Sequence, residues 1–161
     1  MNIKVTGNKL EFNGKVYDCA VGKNGFSENK KEGDNCTPVG TYPVREVFYK
    51  AERPRTNLPA KQITEFDGWC DDVSSIDYNK HIKLPHSARH EKMLRDDNLY
   101  DYVVVIGYND APIEKGKGSA IFMHVAKPEY AGTEGCVALK KEDLLEVLEK
   151  LDTNSKIEII K

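Results

Sequence analysis

The 161-residue sequence predicts a mainly β domain, sandwich- or barrel-like, with one or two packed helices. Three observations point there. Short apolar segments of strand length follow one another through most of the chain. Gly, Asn and Pro turn signals separate them. One stretch near the C-terminus carries helical periodicity. No repeat, linker or low-complexity tract divides the chain, so residues 1–161 read as a single domain.

Ile3 and Val5 alternate with Lys4 and Thr6, and Leu10 and Phe12 flank Glu11. Gly7-Asn8 and Asn13-Gly14 mark the turns around these first strands. Val16 to Val21 reads as a third strand, and residues 22–33 as a polar loop. Thr37 to Pro43 reads as a stiff turn leading into a strand over Val44 to Tyr49. Residues 50–88 are the least periodic part, and so long an irregular stretch in a compact domain is often functional. Ser87 to Asn98 reads as a short helix, with Ser87 as N-cap and Met93 and Leu94 inward. Tyr102 to Tyr108 and Ser119 to Val125 are buried strands around a Pro112-containing loop. Lys140 to Leu151 is the clearest helix: Leu144, Leu145, Val147, Leu148 and Leu151 share one face. Lys156 to Ile160 closes the chain as a strand.

The net charge of -2 provides no basic surplus for nucleic acid, although a local basic patch stays open. No apolar run approaches the length of a transmembrane span. The first residues lack a basic start followed by an apolar stretch, so no secretory signal is expected in the chain as given. By sequence alone this suggests the cytoplasm. Cys19, Cys36, Cys70 and Cys136 form no C-x-x-C pair, and a domain this long needs no disulfide staples, so free thiols are expected. The four cysteines and four histidines have no zinc-ligand spacing, and no metal is expected.

Among the cysteines, context singles out Cys136. It follows Thr133-Glu134-Gly135, and a glycine before a nucleophile lets backbone approach a substrate carbonyl closely. Backbone N–H groups of such a turn can face a developing oxyanion, and the start of the following helix would add a field favouring thiolate. His124 ends an apolar strand twelve positions earlier, a rigid place for a general base. The competing reading is a satisfied core histidine and a structural thiol.

His124-Val125-Ala126 followed by Gly132-Thr133-Glu134-Gly135-Cys136-Val137-Ala138-Leu139 resembles the active-site signature of the L,D-transpeptidase catalytic domain family (YkuD-like). Cys19-Ala20-Val21-Gly22 and Thr37-Pro38-Val39-Gly40-Thr41-Tyr42 are similar to its early strand and turn. Gly68-Trp69-Cys70-Asp71-Asp72, Tyr78-Asn79, His90-Glu91, Arg95-Asp96-Asp97, Tyr100-Asp101 and Gly107-Tyr108-Asn109 resemble a stand-alone branch. The resemblance implies a cysteine acyltransferase that acts on peptidoglycan stem peptides. Cys136 would be the nucleophile, His124 its base, and the Val125 carbonyl would hold the imidazole tautomer. Gly135 would support the oxyanion. No cofactor would be needed, carbapenem-type β-lactams would acylate the thiol, and the substrate would lie in the cell envelope. That last implication conflicts with the missing leader.

Two positions depart from the family pattern: Glu134 stands where His is usual, and Ala138 where Arg or Asn is frequent. They bear on acceptor preference more than on the nucleophile. Glu134 is expected to point away from the sulfur. It would pair with Lys127, Arg89 or Arg95, or bind the incoming amine, or stand solvated. Thr133 would touch substrate. Trp69 reads as the floor of a substrate groove or as core packing. His90 and Arg95, near one face of the expected helix, read as carboxylate binders or as a solvated face. The acceptor stays open between an amine and water, so an L,D-carboxypeptidase or endopeptidase is an alternative. A catalytically idle peptidoglycan-binding module is the reading from another class.

Overall fold

The computed structural model of the protein describes residues 2–161. Fourteen strands follow in order, the first three being β1 (Asn2–Thr6), β2 (Lys9–Phe12) and β3 (Lys15–Asp18). Then come β4 (Phe26–Ser27), β5 (Thr37–Pro38), β6 (Gly40–Tyr49), β7 (Ala60–Gln62) and β8 (Asp67–Cys70). The rest are β9 (His81–Lys83), β10 (His90–Lys92), β11 (Tyr102–Ile106), β12 (Phe122–Val125), β13 (Val137–Leu139) and, after the helix α1 (Lys141–Lys150), β14 (Lys156–Ile160).

The large sheet runs β13-β12-β11-β6-β14-β1-β2-β3, with β7 beside β6. Its two ends meet. Just beyond β3, Ala20 exchanges hydrogen bonds of 2.8 and 2.9 Å with Ala138 of β13, and Gly22 bridges to Thr133. The sheet therefore curls into a nearly closed, barrel-like form, which leaves few unpaired edges. The chain from Val16 to Val21, expected as one strand, is divided by this closure. Residues 15–18 serve one end of the sheet and residues 20–22 the other.

Strand alternation divides the interior into two cores. In β11 and β12, Tyr102, Val104, Ile106, Met123 and Val125 face a larger core with Leu144, Val147 and Leu148 of α1. Val103, Val105 and Phe122 face a second core with Trp69, Met93, Leu99 and Tyr100. The irregular middle of the chain supplies that second layer. Its three-stranded sheet, β10-β8-β9, sets the Trp69 indole edge-on against Phe122 at 5.0 Å.

The helix expected over Ser87 to Asn98 does not form. His90–Lys92 is instead a strand, antiparallel to β8 with His90 opposite Cys70 and Glu91 opposite Trp69. Pairing with β8 supplies the backbone partners that a helix would have supplied. Met93 is buried but Leu94 is exposed, so the segment has no apolar face of helical width. The Thr37–Pro43 turn is likewise shorter than expected, since the pairing of β6 already begins at Gly40.

Candidate active site

β12 and β13 run parallel, with Met123 opposite Val137 and His124 opposite Ala138. The register carries back to place Cys136 beside Phe122, whose N–H donates to Sγ at 3.4 Å. Side chains two apart share a face, so His124 and Cys136 project from the same side of adjacent strands, toward the second core. Both line one cavity of about 630 Å³, together with Lys30, Glu91, Tyr100 and Glu134.

The Cys136 turn is assembled from three segments. Thr37, fully buried, accepts the Gly22 N–H at 2.8 Å and donates to the Gly135 carbonyl at 2.9 Å. Thr133 donates to the Cys136 carbonyl at 2.6 Å and accepts the Gly135 N–H at 3.1 Å. Gly135 has φ +141, and a Cβ there would lie 2.8 Å from the Cys36 carbonyl oxygen, so no other residue fits. Replacing Thr37 by Val strands both partners of its hydroxyl. A stability loss of about 1–3 kcal/mol is expected, with β-lactam acylation of Cys136 slowed, measured by thermal unfolding and intact mass.

His124 is buried, and its Nδ1 lies 2.8 Å from the Val125 carbonyl. A carbonyl can only accept, so Nδ1 carries the proton and Nε2 keeps its lone pair. The ring packs edge-on against Tyr100 at 5.5 Å, and the Tyr100 hydroxyl donates to Glu91. Burial, together with Arg95 and Lys127, brings the His124 pKa down to about 4. Burial, reinforced by Glu91 and Glu134, pushes the Cys136 thiol up to about 12, against the opposing pull of the Phe122 N–H and Lys30. The resting pair in the open cavity is thus a neutral thiol and a neutral imidazole. The Lys30 side chain is 3% exposed, and its Nζ pairs with Asp34 at 2.6 Å.

The start of α1 does not face Cys136, contrary to expectation. β13 intervenes, and the helix packs in the other core. Trp69 packs in the second core and does not line the main cavity. Its indole N–H donates to Asn79 Oδ1 at 2.9 Å, and it borders a separate cavity of about 340 Å³. His90 and Arg95 both reach the main cavity, but from a strand and an irregular segment. Arg95 is bidentate to Asp97 and lies over the Tyr100 ring at 5.2 Å. Thr133 also lines the cavity, although its hydroxyl is engaged in the turn. Glu134 is exposed on the rim. Among the described residues it makes no ion pair: Arg89 is taken by Asp71 and Arg95 by Asp97. Lys30, Glu91, Tyr100 and Asn79 were not foreseen as site residues. Glu91, Tyr100 and Asn79 fall in segments that carry the family resemblance, but their places come from side-chain geometry, and Lys30 had no sequence signal. All four cysteines are free, and among the described residues no group of three or more His, Cys, Asp or Glu could hold a metal.

The model of YkuD, the L,D-transpeptidase catalytic domain, matches residues 4–159. The chain belongs to the L,D-transpeptidase catalytic domain family. No curated protein matches it significantly. Among solved structures it is similar to L,D-transpeptidase 1 of Mycobacterium tuberculosis, at 12% identity and a TM-score of 0.46, with 99% of this chain and 58% of that one covered. It is also similar to L,D-transpeptidase 3 of the same organism carrying a faropenem-derived adduct, at 15% identity and a TM-score of 0.45, with 99% and 59% covered. The chain therefore spans about three fifths of the length of these structures.

Within this L,D-transpeptidase domain the two departures have clear surroundings. Ala138 is buried opposite His124 and held to Ala20, so no polar side chain projects there. Glu134 stands exposed on the rim, and its charge disfavours the Cys136 thiolate. Glu134→Gln removes that charge at constant size. Alkylation of Cys136 at neutral pH is expected to speed up roughly two- to fivefold. A rate-against-pH profile of the modified cysteine reads this directly, and an unchanged profile would place the carboxylate beyond reach of the thiol.

Proposed function

We propose that the protein is a cysteine-dependent L,D-transpeptidase acting on peptidoglycan stem peptides in the cell envelope, through a thioester acyl-enzyme. The observation that carries this reading is the register of β12 against β13. It brings His124 and Cys136 onto one wall of one cavity, with Nδ1 taken up by the Val125 carbonyl. In the first half-reaction the Cys136 sulfur attacks the amide carbon on the carboxyl side of the diamino acid, and its proton passes to His124 Nε2. The Gly135 N–H is spent on Thr133, so the Cys136 N–H is the turn's donor to the oxyanion. Collapse breaks the C–N bond, Nε2 returns its proton to the leaving amine, and the terminal D-amino acid departs. An acceptor amine then attacks the thioester, gives its proton to Nε2, and releases the cross-linked peptide with the thiol restored. Neither a metal nor an organic cofactor enters these steps.

Incubation with a defined tetrapeptide muropeptide, followed by mass analysis, tests the reading. A cross-linked dimer with loss of the terminal residue is expected. Loss of that residue with no dimer would replace the reading by an L,D-carboxypeptidase, and cleavage of a cross-linked dimer by an endopeptidase. Unchanged peptide that stays bound would indicate an idle peptidoglycan-binding module. Incubation with a carbapenem is expected to leave a covalent adduct on Cys136.

A further inference from the structure

The Cys136 thiol does not point its proton at the histidine. Sγ donates to the Ala120 carbonyl at 3.2 Å and accepts the Phe122 N–H at 3.4 Å, so the thiol is clamped between two residues of the neighbouring segment. Ala120 holds that carbonyl in place from an unusual backbone. Its φ is +54, a left-handed conformation that an alanine rarely adopts. The conformation ends the straight run of β12, which was expected from Ser119 but begins at Phe122.

One side chain holds Ala120 there. Asn79 is buried, and its amide is used on every side. Oδ1 accepts the Ala120 N–H at 3.1 Å and the Trp69 indole N–H at 2.9 Å. Nδ2 donates to the carbonyls of Tyr108 at 3.2 Å and Asn109 at 2.8 Å. Trp69 is in turn wedged against Phe122. Asn79 thus ties the covering sheet, the loop after β11 and the strand beside the nucleophile into one network.

We infer that Asn79 is a positioning residue for the Cys136 thiol, acting through the Ala120 backbone. This rests on the reading of Cys136 as the nucleophile. In the resting state the Ala120 carbonyl holds the thiol proton and fixes the Sγ rotamer. In the acylation step the S–H bond breaks, the proton goes to His124 Nε2, and the electron pair stays on sulfur, which keeps the Phe122 N–H. A carbonyl facing sulfur stabilises the thiol over the thiolate, so the clamp restrains reactivity while it supplies aim. The charged and titratable groups around the sulfur are His124 on β12, Glu91 on β10, Tyr100 before β11, Glu134 on the turn and Lys30 across the cavity.

The test separates aim from reactivity. Asn79→Leu removes the acceptor at similar size. Alkylation of Cys136 by iodoacetamide at pH 7, followed by peptide-resolved mass spectrometry, is expected to rise about three- to tenfold. Muropeptide turnover by the same preparation is expected to fall about 10- to 100-fold. Asn79→Asp turns the amide donor into a second acceptor facing the Tyr108 and Asn109 carbonyls, so it breaks the network too and is expected to show the same split of faster alkylation and slower turnover. If alkylation and turnover fall together in Asn79→Leu, or if either variant leaves both at the wild-type level, the inference is overturned. A second measurement needs no change at Asn79. The infrared S–H band, isolated by subtracting Cys136→Ser, is expected at the lowered frequency of a thiol bonded to a carbonyl, and a free S–H band overturns the clamp. Absence of turnover in the wild type would sink the proposed function alone, because alkylation and the S–H band read the clamp without substrate.

Discussion

Cys136→Ala is expected to abolish both muropeptide turnover and carbapenem adduct formation. Intact-mass analysis should show no acylated species. The variant also leaves the Phe122 N–H and the Ala120 carbonyl without their sulfur partner, at a cost of about 1–3 kcal/mol. Cys136→Ser is therefore the better control. Its hydroxyl can keep both bonds and preserve the fold, yet it lacks the acidity and nucleophilicity of a thiol. Cys19→Ala, Cys36→Ala and Cys70→Ala are expected to retain activity. Cys19 and Cys70 are buried away from the cavity, and Cys36 sits beside it without lining it. An adduct that persists in Cys136→Ala would move the nucleophile elsewhere.

His124→Ala is expected to lower turnover by roughly two to four orders of magnitude, the range for loss of a general acid–base. The pH dependence carries a further signature. With the histidine held at about 4, its base form persists well below neutrality, so the acidic limb of kcat/KM is expected near pH 4 rather than 6.5. Stability responds in the same window. The folded pKa lies below the ordinary histidine value, so between pH 6.5 and 4 the unfolded chain binds the extra proton. Stability conferred by the neutral buried ring is fully present above 6.5 and is lost as pH falls through 4, by roughly 3 kcal/mol. Thermal unfolding at pH 7 and pH 4.5 measures it. The acid sensitivity of the wild type should exceed that of His124→Ala. Equal sensitivity would mean that the ring's pKa is not depressed, and activity per folded molecule preserved in His124→Ala would make His124 a structural residue.

The elements that could be read in advance share one property: their signal is local. The alternation of Ile3 and Val5, the apolar runs around Val104 and Met123, and the leucine face of α1 follow from side-chain period alone. The middle of the chain could not be read so. β7, β8, β9 and β10 have three or four residues each, too short for a period to emerge, and they exist because β6 or a neighbouring short strand pairs with them. His90 and Arg95 illustrate the consequence. The expected helix is absent, yet a strand and an irregular segment bring both side chains to one cavity.

The mainly β architecture, the family resemblance, and Cys136 and His124 as the residues to watch were already legible in the sequence. Residue type, spacing and glycine placement carry those, and all are properties of neighbours along the chain. How the site is held is set by contacts between distant segments. They set β12 and β13 in parallel register, close the sheet through Ala20 and Ala138, and place Glu91, Tyr100 and Lys30 around the sulfur. They also turn the thiol onto the Ala120 carbonyl. Protonation and aim depend on burial and on hydrogen bonds between residues far apart in sequence. Thr37 and Gly135 are one such pair, and Asn79 and Ala120 another. Their energies exist only once the chain has brought those groups together and excluded water from between them.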